Sequence, residues 1–158
     1  MAKSGFQGKL YYNTGTYATP TWNEVTIVGD LSYTMTKDKT DASVRGGGRV
    51  RQYAGTMADL SISGKMRADV NHEDFIKFDD AFHDNTQLDI MVLNGPSDEN
   101  GVTGYRFHAE IFSWQEDQAM ANVIYQDFEL APGIPLVEAE VPKRVVVAGG
   151  APTFEAFS

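Results

Sequence analysis

The residues able to do acid–base, metal or nucleophilic chemistry are scattered along this chain. Its three histidines, His72, His83 and His108, share no ligand spacing. His72 is followed by EDF, so the HExxH pattern that sets two imidazoles on one helix face is absent. Adjacent carboxylates occur at Asp79 and Asp80 and again at Glu116 and Asp117. Neighbouring residues point different ways on a helix and to opposite faces on a strand, so both pairs read as solvated surface groups. Asp98 to Gly101, DENG, supplies oxygens but neither the alternating ligands nor the closing Glu of a calcium loop, and reads as a turn. Ser61 and Ser63 have no base beside them, and Gly46 to Gly48 lack the GK[ST] ending of a phosphate loop. There is no cysteine, which removes disulfides, thiolate metal sites and thiol nucleophiles and leaves the redox compartment open. The expectation is a protein with no catalytic residues, no metal site and no cofactor. A carboxylate hydrolase with a dispersed site on a jelly roll is the enzyme reading that stays open.

The charge pattern is more informative. The net charge is −9, yet seven basic residues face three acidic ones from Lys37 to Arg67, and two basic residues face sixteen acidic ones from Ala68 to Pro142. Such asymmetry suits either a nucleic-acid face or association in which the basic part of one copy meets the acidic part of the next. The second fits better, because three acids interrupt the basic stretch and the acidic remainder repels phosphate. At the centre of the basic part lies Asp38 to Thr56, DKTDASVRGGGRVRQYAGT, with Arg45, Arg49 and Arg51 around three glycines and no hydrophobic period. It reads as a long loop that docks on another surface, or as an exposed hairpin loop with solvated charges.

At 158 residues, with nine Phe, seven Tyr and two Trp, the chain suits a single well-cored domain. No apolar run reaches the length of an export signal or a membrane span, so a soluble protein is expected. Gly8 to Asn13 is a short aromatic strand, and Thr14 to Thr21 a turn-rich loop. From Trp22 to Lys37 residues alternate: Val25, Ile27, Leu31, Tyr33 and Met35 fall on one face and Thr26, Asp30, Ser32, Thr34 and Thr36 on the other, with a bulge expected near Gly29. Met57 to Arg67 alternates again, with Leu60, Ile62 and Met66 inward. An amphipathic helix is predicted over His72 to His83, capped by Asn71 and burying Phe75, Phe78 and Phe82.

Leu88 to Val92 is apolar enough for burial on both faces, and Tyr105 to Gln115 and Met120 to Leu130 form a hairpin in which Arg106, His108 and Glu110 face away from the core. The architecture is mainly β: an antiparallel two-sheet sandwich or barrel of about six strands with one flanking helix and a long loop. Residues 1–133 form the body. Residues 134–158 read as an arm or extension whose Arg144 to Ala148 run needs a partner strand on this body or on a neighbour.

The order of phrases adds to this. GKLYYNTGTYATPTWNEV from Gly8, VTIVGDLSYTM from Val25, RQYAGT from Arg51, DLSISGKM from Asp59 and DAFHDN from Asp80 together resemble the major tail tube protein of long-tailed bacteriophages, over about Gly8 to Gly133. The type VI secretion tube and the inner tubes of contractile tails look like relatives of that fold. The resemblance implies hexameric rings whose inner sheets join into a continuous barrel, stacked head to tail into a tube through which DNA leaves without specific binding. It implies a virion tail protein, assembled in the bacterial host cytoplasm. Its partners would be itself and the tape measure, tail terminator and baseplate proteins, with no membrane. By the same resemblance the loop carrying Arg45, Arg49, Arg51 and Tyr53 reaches an adjacent ring or subunit. Asp30, Asp59, Glu110, Asp127 and Glu129 are candidates for a lumen wall. Two other readings stand beside this one. One is a different virion structural protein, such as a tail terminator or head decoration protein. The other is a monomeric β-barrel that holds a small ligand in its mouth near Trp22 and Trp114.

Overall fold

A computed structural model describes residues 8–43, 48, 50–117 and 124–157. Its elements run β1 (Lys9–Asn13), β2 (Trp22–Glu24), β3 (Val28–Asp41), β4 (Tyr53–Arg67), α1 (Glu73–His83), β5 (Leu88–Leu93), β6 (Thr103–Asp117), β7 (Tyr125–Pro132), β8 (Lys143–Ala148) and β9 (Ala151–Ala156). All pairings are antiparallel, in the order β2-β1-β5-β6-β7-β4-β3, with β8 on β6 and β9 on β8. Among the described residues nine strands thus replace the six or so expected, and the sheet does not close into a barrel. These residues form a β-sandwich with a single helix.

β6 is where the sheet divides. One of its edges carries β5, while the other carries β8 at Thr103–Arg106 and then β7 at Ala109–Asp117. The two branches leave β6 at different heights and enclose two clusters. In the larger one, Leu10 and Ile90 meet Ile62, Met66, Phe128 and Leu130 together with Phe75 and Phe78 of α1. Phe78 lies edge-on to Tyr12 at 6.4 Å and tilted to Phe128 at 6.2 Å, so the helix plugs the sandwich. The smaller cluster packs Tyr11, Met91 and Leu93 against Val145 and Val147 of β8. β5 is therefore buried on both faces, as its apolar run predicts.

Gly104 sits at the junction because a side chain does not fit there: an added Cβ would lie 1.8 Å from the Val92 carbonyl oxygen. The Arg144–Ala148 run finds its partner on this chain. Gly149 and Gly150, at φ +65 and +79, make the tight turn into β9 that a two-residue Gly-Gly hairpin loop provides.

Several expectations change. The strand from Trp22 to Lys37 is two strands, because Val25 donates its amide to the Leu10 carbonyl and the chain turns before β3. Register shifts then occur between Val28 and Asp30 and between Lys37 and Lys39. Met35 is 36% exposed because β3 has by then run past the core. The long loop is shorter than Asp38 to Thr56: the ladder continues through Lys39, Thr40 and Asp41 to Gly55, Ala54 and Tyr53, leaving 42–52 as the connection. The helix is capped by His72, not Asn71; its Nδ1 accepts the Asp74 amide at 3.2 Å. At the other end Asn85 takes the left-handed conformation at φ +55, which asparagine tolerates. Phe75 and Phe78 are buried and Phe82 packs at the core margin, as the stripe predicts.

Candidate functional site

The sheet formed by β3, β4, β7 and the second half of β6 has one apolar and one wet face, and strand register decides which residues share the wet one. Asp127 stands opposite Lys65 on β4 and Gln115 on β6, and Glu129 stands opposite Ser63 and Ser113. Ser63 in turn faces Ser32, Ser61 faces Thr34, and Asp59 faces Thr36. Side chains on a strand alternate, so Asp59, Ser61, Ser63, Lys65, Asp127 and Glu129 share the face opposite Ile62, Phe128 and Leu130. Asp30 takes the ladder position across from Lys65. Lys65 lies 3.7 Å from Asp127 in a half-exposed pair, an arrangement worth little to stability. The result is a surface of hydroxyls and carboxylates in which Lys65 is tied to an acid. Glu110 stands opposite Ala131, two residues along β7 from Glu129, so by alternation it falls on the same face, where it lines a groove with Gln87, His108 and Glu140.

Two edges of the main sheet are open: β3 pairs with β4 alone and β2 with β1 alone among the described residues. An unpaired edge presents a row of amides and carbonyls to any strand of matching phase. Beyond Tyr33 the β3–β4 hairpin is exposed on every described side chain to Ala58, and forms an arm held by its own ladder. At its far end, beside the connecting loop, Ala42 donates to the Gln52 carbonyl, and the Gln52 amide donates to the Ser43 hydroxyl. The Asp41 carboxylate accepts the Ser43 amide at 2.9 Å, and the Ser43 hydroxyl first, then this amide, hold that carboxyl below its ordinary pKa. Arg51 is exposed, and Tyr53 lies opposite Asp41 with the Lys39 ammonium 4.4 Å from its ring. Arg45 and Arg49 lie outside the described residues. The structure thus places Arg51 and Tyr53 together on the arm, well separated in the chain's topology from Asp127 and Glu129.

Sequence reasoning missed a buried ionic clasp. Arg106, expected on a polar face, is 2% exposed. Its guanidinium forks onto Asp89, with Nε donating to Oδ1 at 3.1 Å and Nη2 to Oδ2 at 2.7 Å. Nη2 also donates to the Tyr17 carbonyl, and the guanidinium packs on the Tyr17, Trp22 and Phe154 rings at 3.8, 4.9 and 4.5 Å. Asn13 completes the network by donating to Asp89 Oδ2 while its own oxygen accepts the Gly15 and Thr21 amides. One cation therefore joins the 14–21 loop, β5 and the β8–β9 hairpin. The available signal was a single acid in LDIMV and a single cation in YRF on successive strands.

Both tryptophans are spent on packing. Trp22 lies against Phe154, while Trp114 packs on Phe75 and donates its indole N–H to Asp79. With the sheet open, there is no barrel mouth for them to line. Among the described residues no three His, Asp or Glu side chains converge as metal ligands, and no helix is long and apolar enough to cross a membrane.

Comparison with solved structures matches this architecture over nearly the whole chain. A chain of the SPP1 tail tube superposes with a TM-score of 0.66 at 11% identity, covering 99% of this chain and 81% of that one. A chain from the tail of the empty gene transfer agent (GTA) particle, refined with C6 symmetry, gives 0.66 at 14% identity, covering 98% and 100%. A chain from the virion of the native GTA particle gives 0.64 at 14% identity, again covering 98% and 100%. No family model and no curated protein sequence matches the chain. At these identities the likeness is one of fold: the chain has a tail tube fold, shared with the SPP1 tail tube and the GTA tail.

Proposed function

We propose that this chain is a structural, non-enzymatic virion protein that self-associates into six-membered rings stacked as a tail tube, the conduit for DNA ejection. The observation that carries this is the near-complete superposition on chains of the SPP1 tail tube and of a GTA tail refined with six-fold symmetry. Two features of the chain support it. The sheet ends on open edges at β3 and β2, which a ring of copies would pair and a monomer leaves unsatisfied. The wet face bearing Asp59, Asp127 and Glu129, with Asp30 and Glu110 as further candidates, suits a lumen that repels passing DNA. In this reading Arg45, Arg49, Arg51 and Tyr53 form the contact to an adjacent subunit, and residues 1–133 carry the tube body. The tube sits in the virion tail after assembly in the host cytoplasm, where it meets tape measure, terminator and baseplate proteins.

Negative-stain electron microscopy of the purified protein over a concentration series tests the reading. Hollow tubes or stacked rings are expected. A uniform monomer at every concentration, with and without baseplate components, would overturn it.

A further inference from the structure

We infer that the β3–β4 arm of one copy seats in the groove between β6 and the 133–142 segment of a second copy. This rests on the tube reading, and it names the receiving surface. The groove encloses about 620 Å³ and is lined by Gln87, His108, Glu110, Leu136, Val137 and Glu140, among others, with no lysine or arginine in its wall.

The groove is chemically unfinished in two respects. Leu136 is 97% exposed on its lip and Ile134, beside it, 86% exposed, an apolar rim that water does not favour. His108 Nε2 is enclosed without a hydrogen-bond partner among the described residues, with Glu140 Oε1 at 3.8 Å. Glu110, Glu138 and Glu140 make the surroundings acidic. The nearest cation in sequence, Lys143, is turned to the Tyr17 ring at 5.2 Å.

The arm has the complementary composition. Lys37, Lys39 and Arg51 are exposed on it, and so are Val50 at 78% and Tyr53 at 47%. Of its acids, Asp41 accepts from Ser43 and Asp38 also has a partner. No arm residue lines the groove of its own chain. An apolar and cationic hairpin opposite an apolar and anionic groove is a heterologous pair. Such a pair propagates from copy to copy instead of closing on itself as a two-fold dimer does.

The absence of cysteine makes the test direct. Arg51→Cys and Leu136→Cys are made in separate preparations, mixed, assembled and oxidised. The expected result is a disulfide-linked dimer in assembled material only, about tenfold more abundant than with Glu155→Cys replacing Leu136→Cys as control; such a ratio corresponds to about 1.4 kcal/mol of preference. In parallel, Glu138→Lys with Glu140→Lys should block assembly. Adding Lys37→Glu, Lys39→Glu and Arg51→Glu to the same chain should restore it. Tubes that form normally without the cross-link and without charge rescue would overturn the docking while leaving the tube intact. A cross-link within the dilute Arg51→Cys, Leu136→Cys double variant would overturn it by placing the arm on its own chain. A wild-type protein that never assembles removes the tube reading and this inference together.

Discussion

Arg106 and Asp89 form a two-pronged ion pair between neighbouring strands, at 2.7 and 3.1 Å, with side chains only 3% and 10% exposed. Two charges withdrawn from water in this way depend on each other. Arg106→Met alone should cost about 3–5 kcal/mol, because the Asp89 carboxylate stays buried without its partner. Arg106→Met with Asp89→Leu should recover a large part of that. Urea denaturation of both variants decides it, and an equal loss in the two would show that ring packing, not charge, holds the clasp.

The second buried polar contact is Tyr12 to Asp74, where the phenol donates to Oδ1 at 2.6 Å. Burial first, then the hydrogen bond to Asp74, pushes the Tyr12 phenol above its ordinary pKa of 10.0. The folded state thus holds this proton more tightly than the unfolded chain. Its contribution to stability is complete below pH 10.0 and is lost as the pH rises through the folded value. Tyr12→Phe should lower stability at neutral pH by about 1–3 kcal/mol, because a buried carboxylate loses its donor. It should also flatten the alkaline fall in the denaturation midpoint, which a pH series would reveal.

Gly104→Ala probes the branch point of the sheet. A Cβ there meets the Val92 carbonyl oxygen at 1.8 Å and the Leu93 Cα at 2.9 Å, both backbone atoms that cannot swing aside. A loss of about 1–3 kcal/mol or more is expected from overpacking, with a lower thermal midpoint as the readout. Wild-type stability would mean that β5 and β6 separate freely.

The wet face can be tested without disturbing the core. Asp59→Lys with Glu129→Lys changes two exposed groups, so the monomer should keep its stability within about 0.5 kcal/mol. Assembled tubes should then retain short duplex DNA in a filter assay at low salt and release it as salt screens the attraction. Equal retention by variant and wild type would place these acids on an outer wall.

The arm loop makes the matching prediction for assembly. Arg45→Glu, Arg49→Glu and Arg51→Glu together should leave a folded protein, by circular dichroism, that does not polymerise. Tubes of normal length from this variant would refute a contact role for the loop.

The parts of the fold legible in the sequence were those where burial and periodicity coincide. Leu60, Ile62 and Met66 on β4, the Phe75 and Phe78 stripe, and Ile90 to Leu93 all lie where alternation or helical spacing places them. Where both faces of a ladder are wet there is no such signal. DKTD and YAGT pair as strands through backbone hydrogen bonds that hydropathy does not record, so the arm reads as loop. The β8–β9 hairpin had a readable mark in Gly149 and Gly150 between two strand-like runs. It went unread because the three prolines of the 134–158 segment favoured an extension. Of the candidate site, the wet-face acids could be identified by type, but grouping Asp59, Asp127, Glu129 and Glu110 on one face required the strand pairing, including the shift after Ile111 that keeps Glu110 and Ser113 on the same side. That shift lies within the β6–β7 ladder, and no local pattern in the sequence marks it.

The two register shifts in β3 leave a regular run only over residues 30–37 of its open edge. An incoming strand stays in phase with the amides and carbonyls over that interval and falls out of step at either end. This makes the edge selective by length as well as by side chain, since a strand that depends on a longer uninterrupted ladder loses bonds at both shifts. The same irregularity works against open-ended fibrils, which need flat, unbroken strands repeated layer on layer. The open edge of β3 thereby carries a built-in stop at each end.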